Sequence, residues 1–181
     1  PDVATRLEQI IFMGGSISGG NVTAVAEFNV WQDPEAAKCV IESGIPTIMY
    51  GLDAFSRLTA SHADADRFRA HDHSAIRLAG ELLYRRRPRS HDFNRDYVGL
   101  LGDAGAMVLL TNPELFVTRE LPVRVNLEGI GRGQTIVDQR VVPRGTPGPD
   151  PDPWPSIAIV VDLHVAQAAA TFVEVIEAYD S

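Results

Sequence analysis

The chain is expected to fold as an α/β domain of the Rossmann-like kind: an open, mostly parallel but mixed sheet with helices on both faces. Three observations predict it. Short continuous apolar runs, IIF, TIMY and IAIVV, read as strands covered on both sides. Helical patterns alternate with them, as layered α/β domains require. A glycine-rich turn, GGSISGGN, directly follows the first run, where such sheets place their ligands.

The elements follow in order. Pro1 to Leu7 reads as a helix segment with an early proline. Gln9 to Met13 reads as a buried strand ending at Gly14-Gly15. Asp33 to Ser43 is a helix, with Asp33 as cap, Pro34 in the first turn and Gly44 after its end. Pro46 to Tyr50 is a second strand. Ala65 to Arg86 reads as one long helix with Phe68, Ile76, Leu78, Leu82 and Leu83 on its apolar stripe. Asp103 to Leu110 is a short apolar helix. Phe116 to Leu127 and Gln134 to Val142 are strands around the turn EGIGRG, which makes the sheet mixed. Ile157 to Val161 is a strand and Leu163 to Tyr179 a closing helix. The segment 143–155 holds six prolines and is expected to be an exposed surface loop. Residues 1–181 are read as one domain without internal repeats.

Composition narrows the function classes. A net charge of −8 disfavours nucleic acid as a partner. The basic run from Arg85 to Arg89 is read as a solvated helix end. The lone Cys39 rules out a disulfide framework and points to a reducing compartment; its apolar setting, AAKCVIESG, reads as a buried small hydrophobe. No apolar run reaches membrane-spanning length and no leader pattern opens the chain, so a cytoplasmic protein without a membrane partner is expected.

Few segments carry chemistry. GGSISGGN lacks both the lysine of a P-loop and the G-x-G-x-x-G spacing, so it fits a ligand loop better than a dinucleotide site. In AEFN, an extended backbone would point Glu27 and Asn29 the same way, with Phe28 opposed. A carboxylate and an amide so placed suit sugar hydroxyls. The same residues equally suit a loop leading into a helix, satisfying its backbone groups. Asp103 reads as a helix cap or as a metal carboxylate at a strand-to-helix junction. His62, His71, His73, His91 and His164 show no metal-ligand spacing and are read as solvated or structural.

The stretch MGGSISGGNVTAVAEFNVWQDPEAAKCVIESGIPTIMYGLD resembles the inosine-uridine nucleoside N-ribohydrolases, whose pattern there is MGG, GN, AEFN, DPEAA, a Gly-Ile-Pro strand and GLD. PELF at Pro113 to Phe116, RGQTIVD and the final strand and helix extend the similarity over essentially the whole chain. The resemblance implies the nucleoside hydrolase fold with its N-terminal half missing. It implies hydrolysis of the N-glycosidic bond of a ribonucleoside by a calcium-bound water, in purine and pyrimidine nucleoside catabolism. By motif, Asn21 and Glu27 would bind the ribose 5′-hydroxyl beside Met13. Asn29 would bind the ribose diol, and Phe28 would lie near sugar and base. Asp103 would be the catalytic-site calcium ligand and would also contact the diol.

Two departures stand out. The family's opening D-x-D-x-x-x-D-D, which supplies most calcium ligands and the base, does not occur; ADADR, with Asp64 and Asp66, lies elsewhere. Where many members carry a histidine that protonates the leaving base, this chain has Gly102. The chain is therefore expected to supply the sugar-binding half of a site, to be inactive alone and to expose an edge strand near Ile10 to Met13. Its partners would be a nucleoside and either further copies of itself or the missing half. The alternative is a non-catalytic ribose- or nucleoside-binding or regulatory protein derived from that fold.

Overall fold

A computed structural model describes residues 3–85, 97–140 and 153–180. The chain divides into two compact units, Pro1–Asp53 with Thr118–Val161, and Ala54–Val117 with Asp162–Ser181. The proline-rich segment over 143–152, the basic run from Arg86 and His91 lie outside the described residues.

The first unit is built on a five-stranded sheet of order β1-β2-β7-β5-β6. Its strands are β1 (Ile10–Met13), β2 (Thr47–Tyr50), β5 (Phe116–Val125), β6 (Thr135–Val137) and β7 (Ser156–Leu163). β1 and β2 run parallel from Ile10 opposite Thr47 to Met13 opposite Tyr50, and β2 runs parallel to β7. β5 and β6 are antiparallel, with Arg124 opposite Ile136. The sheet is thus mixed, as expected. β1 is an edge strand, and all four of its residues are only half-buried, so IIF is not the doubly covered strand its composition suggests. Strand burial depends on neighbours, which an apolar run cannot reveal.

Helices α1 (Phe28–Gln32) and α2 (Pro34–Ile41) follow β1, and the one-turn helix α3 (Leu52–Phe55) follows β2. Asp33 Oδ1 accepts the Ala36 amide at 2.9 Å and so caps α2. Pro34 and Ile41 are buried and Ala37 half-buried, which fixes the inward face at a helical spacing. Cys39 lies off that face and is exposed, contrary to the buried position expected of it. The core joins Val30, Ile41, Met49, Leu121, Val123, Val125, Ile157 and Ile159. Each such side chain contributes about 1.5–3 kcal/mol through burial.

Residues Val3–Arg6 form a turn, with Arg6 N–H donating to the Val3 carbonyl at 3.0 Å, rather than the expected helix segment. So short a piece forms too few hydrogen bonds to offset helix nucleation.

The second unit pairs β3 (Thr59–Ser61) with β4 (Tyr97–Leu100), antiparallel. Both strands are too short to give a sequence pattern. The expected long helix is two: α4 (His62–Arg69) and α5 (Ser74–Arg85), separated at Ala70–His73. Phe68, Ile76 and Leu83 are buried, but Leu78 and Leu82 are exposed, because the helical repeat places them on the face of α5 away from Ile76 and Leu83. Two further helices are α6 (Asp103–Thr111) and α7 (Val165–Glu177). Phe68 meets Phe172 of α7 edge-to-face at 6.3 Å.

Ser61 and Asp64 form a capping box at the start of α4: Ser61 Oγ accepts the Asp64 amide at 3.1 Å, and Asp64 Oδ2 accepts the Ser61 amide at 3.3 Å. Burial raises the Asp64 pKa, but hydrogen bonds from the Ser61 hydroxyl and amide, and Arg67, outweigh it and leave the pKa below its ordinary 3.8. A depressed folded pKa gives stability that is fully present above 3.8 and is lost as pH falls through the folded value. Ser61→Ala is expected to cost about 1 kcal/mol in neutral urea titrations. Asp64→Asn is expected to flatten the loss of stability below pH 3.8; an unchanged acid limb would refute the assignment.

Candidate functional site

The site is assembled in the first unit where β1 ends. Gly14 N–H donates to Tyr50 at 3.2 Å and Leu52 N–H to Gly15 at 2.8 Å, so the turn is tied to the end of β2. Gly15 has φ +70, and a Cβ there would stand 2.7 Å from Met49 Sδ. Glycine is therefore required at that point.

Every backbone N–H from Gly14 to Asn21 has a partner within the protein. Glu27 Oε2 takes Gly15 at 3.0 Å, Thr135 Oγ1 takes Ser16 at 2.8 Å, and Asp53 Oδ2 takes Ile17 at 2.7 Å. Ser16 Oγ takes Ser18 and Gly19, both at 3.2 Å. Gly20 donates to Ala24 and Asn21 to Ala26, each at 3.1 Å. A phosphate cradle needs unclaimed amides. This loop offers none, so the phosphate-binding reading of GGSISGGN falls.

Glu27 is extended at the N-cap of α1, and Asn29 lies within the helix, so the two do not share an extended strand face. The Glu27 side chain is 2% exposed. Its oxygens accept from Gly15, from Val30 at 3.2 Å, and from Asn29, whose N–H is 2.9 Å from both Oε1 and Oε2. The helix-capping reading therefore holds. A carboxylate has about four lone-pair positions, and these three donors leave acceptor capacity on Oε1.

Asn29 Nδ2 donates to the Met13 carbonyl at 3.1 Å and lies 3.4 Å from Met13 Sδ. Asn21 Oδ1 accepts the Phe28 amide at 2.9 Å. Asn21, Phe28 and Asn29 are exposed. Met13, Asn21, Glu27, Phe28 and Asn29 are thus brought together by one turn and one helix start. A groove of about 280 Å³ beside β1 is lined by Met13, Asn29 and Asp33 with Phe12, Val30 and Val40. A larger cavity, of about 770 Å³, includes Lys38, Glu42 and Arg124 and none of the predicted site residues. The first, though smaller, is the one that adjoins the polar cluster.

Asp103 lies in the second unit, at the first position of α6. Gly102 is the N-cap and no side chain caps the helix, so Asp103 is not the cap its position suggests. Its carboxylate is exposed and makes no hydrogen bond or ion pair among the described residues. No group of three or more His, Cys, Asp or Glu residues able to hold a metal occurs among them either. Calcium takes 6–8 oxygen ligands. The residues described here do not make up such a site. The histidines His62 and His73 contact Tyr84 and Tyr179, and His71 Nδ1 accepts the His73 amide.

Asp53 and Thr135 were not singled out from sequence. The usable signal was topological: GLD follows β2 as GGS follows β1, and parallel neighbours bring those ends together.

The profile of the family described as inosine-uridine preferring nucleoside hydrolase matches residues 1–170. This chain belongs to that family. The pyrimidine-specific ribonucleoside hydrolase RihA of Salmonella typhimurium is 39% identical over 140 residues, covering 76% of this chain and 45% of that protein. RihA of Escherichia coli O9:H4 shows the same identity and coverage. Among solved structures, a plant nucleoside hydrolase, PpNRh1, superposes with TM-score 0.81 at 24% identity, covering 97% of this chain and 55% of that one. A purine-preferring ribonucleoside hydrolase from Gardnerella vaginalis gives 0.77 at 25%, covering 98% and 54%. The chain thus spans about half the length of the curated relatives it matches. No described helix is long and apolar enough to cross a membrane.

Proposed function

We propose that this chain supplies the sugar-binding half of a site that hydrolyses the N-glycosidic bond of ribonucleosides. The observation that carries the reading is the convergence of Met13, Asn21, Glu27 and Asn29 at the end of β1. Asn21 Nδ2, Asn29 Oδ1 and the remaining capacity of Glu27 Oε1 would bind ribose hydroxyls. Exposed Phe28 would cover the sugar and base. Asp103 would contact the diol and provide one calcium ligand. One carboxylate does not hold calcium, so the remaining ligands would come from protein outside these residues. With Gly102 in place of a histidine, protonation of the leaving base needs another group. The setting we propose is cytoplasmic, in an oligomer or with a complementary half.

A non-catalytic ribose or nucleoside binder is the second reading. It would keep the sugar contacts of Asn21, Glu27 and Asn29, and Gly102, which offers no acid for a leaving base, is the observation that favours it. A nucleoside panel assayed on the complete gene product separates the two. Hydrolysis is expected, falling more than about a hundredfold with a calcium chelator, the scale of Lewis-acid stabilisation. The isolated 181-residue chain is expected to show none. Nucleoside binding without turnover by the complete protein would favour the binder.

A further inference from the structure

The glycine-rich turn is held from outside by two side chains with no assigned role. The Asp53 carboxylate, at the end of β2, accepts Ile17 N–H at 2.7 Å and Ser16 Oγ–H at 3.2 Å through Oδ2, and the Ser18 hydroxyl through Oδ1. Thr135, at the start of β6, is buried; its Oγ1 accepts Ser16 N–H at 2.8 Å and donates to the Ser16 carbonyl at 2.6 Å. Residues 16–18 lie in no strand or helix, so these bonds replace the ladder that would otherwise fix them. The turn runs on through Gly19 and Gly20 to Asn21, and its other end is Met13. Both carry the proposed sugar contacts.

We infer that Asp53 and Thr135 are positioning residues, which set the placement of Asn21 relative to the ladder-held Met13 by clamping Ser16–Ser18 between the end of β2 and the start of β6. The inference rests on the sugar-binding reading of this loop. Neither residue is among the proposed sugar contacts. Two oxygens of one carboxylate spanning three consecutive residues define the turn's orientation, and Thr135 fixes its depth against the sheet. Loss of either clamp leaves the strands intact and lets the turn drift, and displacements of about 1 Å can cost up to a hundredfold in such sites.

The test is steady-state kinetics of Asp53→Ala, Asp53→Asn and Thr135→Val in the complete gene product, with active sites counted. Asp53→Ala is expected to raise the nucleoside KM roughly tenfold or more, with kcat per site within about threefold. Asn retains an acceptor for Ile17 and a donor for Ser18, so Asp53→Asn is expected to recover most of the affinity. Thr135→Val should resemble Asp53→Ala. Should Asp53→Ala not fold, Ser18→Ala, which removes only the bond to Oδ1, is expected to raise KM about threefold. A residue that merely stabilises the fold would lower the number of active sites at constant KM. Wild-type turnover with unchanged KM in the folded variants overturns the inference alone. A wild-type protein that neither binds nor cleaves nucleosides overturns the sugar-binding reading, and the inference with it.

Discussion

Replacing Glu27 with alanine is expected to destabilise the protein by about 3–5 kcal/mol, well beyond the loss of one helix cap at about 1 kcal/mol. The reason is the number of groups it serves. One buried carboxylate accepts the amides of Gly15, Asn29 and Val30. An unpartnered buried donor costs about 1–3 kcal/mol, and water reaches this position poorly. The loss acts on both sides of the site, since Gly15 belongs to the glycine-rich turn and Asn29 and Val30 to α1. Glu27→Gln keeps one acceptor oxygen but turns an NH₂ toward backbone donors, so it should recover about half of the loss. Urea unfolding of the complete gene product measures both. A cost below about 1 kcal/mol for the alanine variant would show that these bonds are not made in solution. In the folded fraction, Glu27→Ala is also expected to weaken ribose binding; unchanged nucleoside kinetics would remove Glu27 from the proposed contacts.

Gly20→Ala is expected to cost on the order of 3 kcal/mol and to displace the Asn21 loop. A Cβ on Gly20 would sit 2.3 Å from the Thr23 carbonyl and 2.4 Å from both the nitrogen and the carbonyl oxygen of Ala26. All three are backbone atoms, so no rotamer change can relieve the overlap. The loop must open instead. That breaks the Gly20–Ala24 and Asn21–Ala26 hydrogen bonds and the Thr23 Oγ1 bond to the Ala26 amide at 2.9 Å. Hydrogen exchange at Gly20, Asn21 and Ala26 reads this directly. Protection equal to wild type, with an unchanged unfolding midpoint, would show that the loop accommodates the methyl group.

The sequence marked the parallel strands, the hairpin-side strands and the capped helix after Asp33 because each carries a local signal: an apolar run, a turn, or a cap with a following proline. It missed β3 and β4, whose pairing between Thr59 and Leu100 joins residues far apart in the chain. It merged α4 and α5, since His71-Asp72-His73 contains no proline or glycine to announce a break. It buried Cys39, which a half-turn of α2 turns outward.

For the site, the sequence by itself determined which residues cluster along the chain from Met13 to Asn29, and its motif order matched a single family. What only the tertiary structure decided is how those groups are engaged. It showed that the amides of the glycine-rich turn are spent internally, that Glu27 caps α1, that Asp103 does not cap α6, and that Asp53 and Thr135 hold the turn. The physical reason is that donor type is encoded locally, whereas a hydrogen-bond partner from 36 or 119 residues away exists only once the strands are paired.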